Sequence, residues 1–354
     1  VESINGRDSF NFSLVDPGRN KLYVCNEVLE FFGCKAMSGR IFTYDLDPAT
    51  GKATERARLE TGCPNPSYIS FDHTGKRFMI AHHSMPMAVG RLIRQEDGTY
   101  EVRQTLPEAD LQLYAVDEDG NPSRLLDNVN HSEGKTKEEF CHPHCCVVSP
   151  SGNLIAVADK GDGHLYIYGL SEDQNSFELK SRTLVDIPKA SPRYVVFHPT
   201  KPFLFVNQEA SYDGKNLYVT AYRYTEEGQV EKINMENAME ETVVPKGKTR
   251  LEQQCFVISK DGKYLYTLIN DGDVIGVLSV DQETGTIRRI QNIGVVGNRP
   301  RGLAISPNGK FIITACLVGG ELTSYKIADD GTLTVCCKGP SQPGASFMSF
   351  YKTK

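Results

Sequence analysis

Several things are scarce in this chain, and each scarcity excludes something. No apolar run approaches the ~20 residues that a membrane-crossing helix requires. Positive charge is not in excess: 39 Lys and Arg stand against 45 Asp and Glu, for a net charge of −6. No global basic field therefore draws in nucleic acid or an anionic membrane surface. Almost no stretch repeats its apolar residues at the 3.6-residue helical period. The best case, 231–241 (EKINMENAMEE), is acidic and reads as a surface insertion. Nucleophile-elbow, Walker and Rossmann fingerprints are all absent, so no cofactor is expected. The first residues show neither the basic nor the apolar region of a secretion signal.

Cysteine is not scarce, but its placement argues against disulfides. Of the ten, Cys145-Cys146 and Cys336-Cys337 are vicinal, and neighbouring strand residues point to opposite faces and bridge only with strain. Cys25, Cys255 and Cys316 lie in apolar, strand-like runs. These read as reduced core thiols in a cytoplasmic protein. Nothing in the sequence sets an oligomeric state.

What is present is a repeat. An apolar strand, a turn built on Ser, Asp or His with Pro or Gly, and a β-branched or aromatic strand recur six times. The copies are 12–27 (FSLVDPGRNKLYVCNE), 68–83 (YISFDHTGKRFMIAHH), 145–160 (CCVVSPSGNLIAVADK), 194–209 (YVVFHPTKPFLFVNQE), 255–270 (CFVISKDGKYLYTLIN) and 302–317 (GLAISPNGKFIITACL). A second hairpin follows each, giving four-stranded units about every 50 residues, the signature of propeller blades. The fold class is all-β, a β-propeller of four-stranded blades, with residues 1–354 as one domain. The widest spacing between copies holds an extra hairpin around Gly98 and a polar segment, 128–140, expected to be a surface loop.

The chain enters an innermost strand almost at once and finishes at 344–350 with another. Six full blades plus one C-terminal strand are therefore visible. The expectation is that about three strands, roughly 40 residues, of a seventh blade lie outside this sequence; the alternative is a six-bladed ring with a stray strand.

Taking Asp16, Asp72, Ser149, His198, Ser259 and Ser306 as register points, the start of each inner strand and the end of the next meet at one face. Five residues before the register point stand Asn11, Ser67, His144, Arg193, Gln254 and Arg301. Eleven after stand Glu27, His83, Lys160, Glu209, Asn270 and Leu317. Cations, carboxylates and histidines thus converge on one mouth suited to a small anion. Arg193 and Arg301 are the first candidates to hold it, because a guanidinium matches carboxylate or phosphate bidentately. His144 is the candidate for proton transfer near neutral pH. Glu209, sixteen residues after Arg193, either pairs with it or offers a separate charge. Substrate-binding candidates are Arg301, Lys160, His83, Glu27, Asn270 and Gln254. His142 reads as a loop-orienting residue, and His198 as a structural replacement for the turn Ser or Asp. No metal site is expected: His82 and His83 have no carboxylate or third histidine at ligand spacing.

The runs HPHCCVVSPSGNLIAVADKGDGHLYIY, SPRYVVFHPTKPFLFVNQE and RPRGLAISPNGKFIITA resemble the propeller lactonases. This family includes propeller-type bacterial 6-phosphogluconolactonases and the fungal carboxymuconate lactonizing enzyme. The resemblance spans roughly residues 10–350 and implies seven blades. It also implies catalytic or substrate-binding roles for His144, Arg193 and Glu209. The chain departs from the pattern at Asn270, where many members carry arginine. What the resemblance implies is hydrolysis of a small anionic sugar-acid lactone by water activated at His144 or Glu209, with Arg193 stabilising the oxyanion. The alternatives are cyclisation of a muconate-type diacid and a non-catalytic binding scaffold.

Overall fold

The computed structural model describes residues 10–26, 38–83, 89–105, 109–135, 141–185, 187, 189, 191–210, 216–240, 251–341 and 344–351. Twenty-six strands build six four-stranded antiparallel sheets and one two-stranded ribbon, with no helix among the described residues. The inner strands are β1 (Phe10–Asp16), β5 (Pro66–Phe71), β11 (Pro143–Val148), β15 (Pro192–Phe197), β19 (Glu252–Ile258) and β23 (Asn298–Ile305). Each pairs with the next strand of its blade: β2 (Lys21–Asn26), β6 (Arg77–His82), β12 (Ile155–Asp159), β16 (Phe203–Gln208), β20 (Tyr264–Asn270) and β24 (Phe311–Val318). The protein is a β-propeller, as its repeat predicts.

Burial grades outward from the axis. Every residue of β12 and β16 is buried, because these strands lie between neighbouring blades and have no solvent face. Outermost strands such as Phe177–Leu184 expose most of their side chains instead. Inner strands of successive blades touch, and the core between them is apolar, with Tyr68, Tyr194, Phe256 and Leu303 around the axis. Blades also lock at their rims. The hydroxyl of buried Tyr266 donates to Gly331 O of the next blade at 3.1 Å, and Tyr23 does the same to Gly120 O at 2.7 Å.

The turn residues that set the register do so by accepting amide protons. Ser149 Oγ accepts from Leu154, Ser259 Oγ from Tyr264 and Ser306 Oγ from Phe311, at 3.0–3.1 Å. His198 Nδ1 plays the same part, accepting from Thr200 and Lys201 at 3.2 and 3.0 Å. An acceptor that caps a turn need not be oxygen.

Two expectations need amending, and a third holds. Residues 231–241 are not an insertion: Val230–Asn237 is β18, the outer strand of blade four. Its Asn234 side chain donates to Ile287 O of the next blade, and Asn237 joins Asn216 and Leu217 of its own blade, so polar residues take inward contacts and mask the strand's alternation. The segment 128–140 begins inside β10 (Pro122–Asn130) and then turns inward, with His131 and Ser132 buried; residues 136–140 lie outside the described set. The hairpin around Gly98 is confirmed as β7 (Val89–Arg94) and β8 (Tyr100–Thr105), a separate ribbon inserted between the second and third strands of blade two.

The C-terminal segment has no assigned strand, yet it fills the gap between blades one and six. Phe347 packs on Phe12 of β1 with ring centroids 4.3 Å apart and also reaches Gly302 of β23. Ser349 Oγ donates to Ser13 O (3.3 Å) and Tyr351 OH to Asn20 Oδ1 (2.7 Å). No helix of the described residues is long and apolar enough to cross a membrane.

Candidate active site

One local irregularity recurs in every blade. The pairing of inner strand with second strand slips between Phe10 and Phe12, Pro66 and Tyr68, Pro143 and Cys145, Pro192 and Val195, Gln253 and Phe256, and Pro300 and Gly302. Each slip is a β-bulge, and the residues within the slips include Asn11, Ser67, His144, Arg193, Gln254 and Arg301. A bulge inserts one residue against the partner strand and re-aims its side chain. The six residues found by counting back from the turns therefore converge because each stands at the bulge of its blade.

Four of them line a cavity of about 240 Å³ at this face: His144, Arg193, Gln254 and Arg301. The strand-end set contributes His83, Lys160, Glu209, Asn270 and Leu317. The other two bulge residues do structural work. Ser67 Oγ lies 3.1–3.2 Å from the carbonyl oxygens of Ala81, Pro143 and His144, tying β5 to β11. Asn11 Oδ1 accepts from Arg301 Nη2 at 2.9 Å. Glu27, also expected here, lies outside the described residues.

Glu209 sits between two cations. Its Oε1 is 2.5 Å from Arg193 Nη1 and its Oε2 is 2.5 Å from Lys160 Nζ. The Arg193 side chain is 4% exposed and that of Glu209 10%, so the triad is desolvated on most sides. Of the two readings of the Arg193–Glu209 spacing, the structure has the pair, and both side chains line the cavity. Both carboxylate oxygens of Glu209 are thus committed to cations.

The histidines behave differently from expectation. His83 meets His142 edge-on at 3.6 Å and lies tilted against His144 at 4.7 Å, and His144 meets the Tyr194 ring edge-on at 5.0 Å. Burial, then the charges of Arg193 and Lys160, hold the His144 pKa well below the ordinary imidazole value. Burial likewise lowers His83, with help from His142 and His144, and lowers His142, with help from Lys160 and Arg193. His144 is thus held neutral rather than titrating near pH 7. Among the described residues, neither of its ring nitrogens has a hydrogen-bond partner. An anion placed between His144 and the cations would raise its proton affinity again.

Counting from the turns missed Glu252 and Arg299, which also line the cavity. Both stand seven residues before the register point, two before the bulge, as do His142 and Asn65. The period-2 alternation of a strand could have found them, since residues i and i+2 share a face. Asn65 and Arg299 even share a backbone state, with φ of 51° and 54°. Asparagine visits this left-handed region readily, whereas a side chain such as arginine does so at a cost of about 1–2 kcal/mol. Arg299 N–H donates to Asp273 Oδ1 at 3.0 Å, which helps to hold it there.

A second polar cluster lies beneath blade three. His131 joins Asp159 Oδ2 and the Tyr168 hydroxyl, each at 2.9 Å. Cys141, Asp159 and Asp162 stand at metal-ligand spacing. Lys135 Nζ occupies the position of a cation there, 2.7 Å from Cys141 Sγ and 2.7 Å from Asp162 Oδ2. A larger cavity, about 530 Å³, lies at the turn end of blades one to three. Its carboxylates are engaged in turns: Asp16 accepts from Gly18 and Arg19, and Asp72 from Lys76 and Arg77. The convergent chemistry is in the smaller cavity.

The propeller thus carries a charged, histidine-lined cavity at one face of its inner strands. The chain belongs to the lactonase family of seven-bladed β-propellers, whose sequence profile matches residues 4–350. It is 23% identical over 310 residues to a 6-phosphogluconolactonase of Bacillus subtilis (strain 168), covering 86% of this chain and 78% of that protein. Over 291 residues it is 25% identical to a 6-phosphogluconolactonase of Enterobacter sp. (strain 638), covering 81% and 74%. The solved structure of the periplasmic gluconolactonase PpgL of Pseudomonas aeruginosa superposes with a TM-score of 0.77 at 21% identity, over 97% of this chain and 88% of that one.

Proposed function

We propose that this protein hydrolyses a small anionic sugar-acid lactone, with 6-phosphogluconolactone as the substrate of choice. The observation that carries this reading is the juxtaposition of His144, buried and held neutral, with the Arg193–Glu209–Lys160 triad in one cavity. A water held by His144 gives up its proton to the imidazole as its oxygen attacks the lactone carbonyl. The carbonyl electron pair moves onto oxygen, where the Arg193 guanidinium donates to the developing charge. Collapse of the tetrahedral species breaks the ring C–O bond, and the imidazolium returns its proton to the departing alkoxide. The product is the open-chain hydroxy acid. Base assistance and one placed cationic donor are each worth roughly 10²-fold or more.

The charge count supports an anionic substrate. Arg193, Lys160, Arg299 and Arg301 face Glu209 and Glu252, leaving the cavity net positive in a chain of net charge −6. Glu209, committed to two cations, orients them and leaves the base role to His144. A muconate-type cyclisation would need His144 as a proton donor, and a site that disfavours imidazolium suits hydrolysis better. The described cysteines, all free thiols, support a cytoplasmic location. The propeller reads as a single domain over residues 1–354.

A pH-stat assay with glucono-δ-lactone and its 6-phosphate tests the reading. Proton release above the spontaneous rate is expected, and His144→Ala is expected to lower it at least 100-fold. Release indistinguishable from buffer for both lactones would refute it.

A further inference from the structure

We infer that Arg299, with Arg301 beside it, anchors a phosphomonoester at the end of the substrate remote from the lactone carbonyl, and so sets the preference for a phosphorylated lactone. This rests on the lactonase reading above.

The cavity has two unlike halves. Blades two to four supply His83, His144, Lys160, Arg193 and Glu209, and there both cations sit on the two oxygens of one carboxylate. Blades five and six supply two guanidiniums, Arg299 and Arg301, and two carboxamides, Gln254 and Asn270. The carboxylate of this half, Glu252, accepts from Gln254 Nε2 at 3.3 Å and thereby orients that amide. The first half holds the groups that move protons and stabilise an oxyanion. Apart from Glu252, the second is a set of guanidinium and carboxamide hydrogen-bond donors with no histidine among them, which fits a group that is held rather than transformed.

Arg299 is mounted with unusual care for a rim residue. Its side chain is half-exposed, and its Nε lies 4.0 Å from Asp271 Oδ1, too long for a hydrogen bond. Its backbone, by contrast, is fixed in the left-handed region by the donation to Asp273 Oδ1. Asp271 and Asp273 are themselves left-handed, at φ 58° and 50°, in the tight turn between β20 and β21 (Val274–Val280). A left-handed backbone in blade six is therefore braced by a left-handed turn in blade five, and the Arg299 side chain lines the same cavity as His144. Backbone strain of this kind persists where surrounding contacts over-determine it, and it clusters at ligand clamps. A planar fork beside a second guanidinium suits the three oxygens of a phosphate.

The test is Arg299→Gln, assayed with glucono-δ-lactone and its 6-phosphate and titrated with inorganic phosphate by calorimetry. The half-exposed side chain fills no core, so the variant is expected to melt as the parent does. The ratio of kcat/KM for the phosphorylated over the neutral lactone is expected to fall roughly 10- to 100-fold, mainly through KM. Phosphate affinity is expected to fall by a similar factor, and Arg299→Lys is expected to recover part of both. An unchanged ratio, or equal losses on the two lactones, would overturn the assignment. If neither lactone is turned over, the lactonase reading fails by itself. The phosphate titration then decides the anchor: weakened binding in Arg299→Gln upholds it, and unaltered binding overturns it.

Discussion

Replacing Glu209 with glutamine removes the one carboxylate that two inward-facing cations share, while keeping its shape. Breaking a buried ion pair by deleting one partner costs about 3–5 kcal/mol, because the remaining charge stays desolvated. Lys160 is 17% exposed and faces the cavity, so some of its charge is solvated and the lower end, about 3 kcal/mol, applies. Unfolding entropy of ~2.1 cal/mol/K per residue gives about 0.7 kcal/mol per degree for a chain of 354 residues, hence a Tm lowered by about 4 °C. The assay is a thermal melt of the parent, Glu209→Gln, Lys160→Met and the double variant, each with and without inorganic phosphate. Lys160→Met and Glu209→Gln should couple by at least about 1 kcal/mol, since they share a contact. Phosphate should raise the Tm of Glu209→Gln more than that of the parent, because an anion then takes the position of the lost carboxylate. A variant that melts with the parent and shows no coupling would refute the claim that Glu209 holds this face together.

The neutral histidines predict acid sensitivity. His82 (lowered by burial to about 3), His83, His142 and His144 all resist protonation when folded, whereas the unfolded chain binds those protons normally. Stability is therefore flat above the ordinary imidazole pKa near 6.5 and declines as pH falls below it, by up to about 1.4 kcal/mol per pH unit for each histidine. His144→Asn should move the acid-unfolding midpoint, followed by circular dichroism, to lower pH; a midpoint moved upward would contradict the burial argument. Phe347→Ala should cost about 1–3 kcal/mol in urea melts, the worth of an aromatic ring partly buried on Phe12. Stability unaltered by that change would mean the C-terminal segment does not close the gap between blades one and six.

Much of the site was legible because a repeat turns sequence position into spatial position. Counting from Ser149 to His144, or from His198 to Arg193 and Glu209, needs only the strand rise and the hairpin, both fixed by backbone geometry. What the count could not supply was pairing and dielectric. Nothing local to Lys160 says that it reaches Glu209 of the next blade, and nothing local to His144 says that it is wholly buried and held neutral. Both follow from side chains meeting across a blade boundary. Arg299 and Glu252 escaped for another reason: the count took one residue per strand end, although strand alternation puts the residue two positions earlier on the same face. His131 was lost because a polar stretch was read as solvated, when its polarity serves the buried contacts with Asp159 and Tyr168.

The bulge at the head of every inner strand bears on how such a site can change. A residue within a bulge stands outside the ladder, so its identity is not tied to the in-and-out alternation that packs one blade on the next. The six positions act as interchangeable sockets around an axis, filled here by one imidazole, two guanidiniums, two carboxamides and a hydroxyl. Asn11 and Ser67 occupy theirs with contacts to neighbouring strands. Drift or design can refit the remaining sockets, and thereby the substrate, while the ring of packed blades behind them keeps its composition.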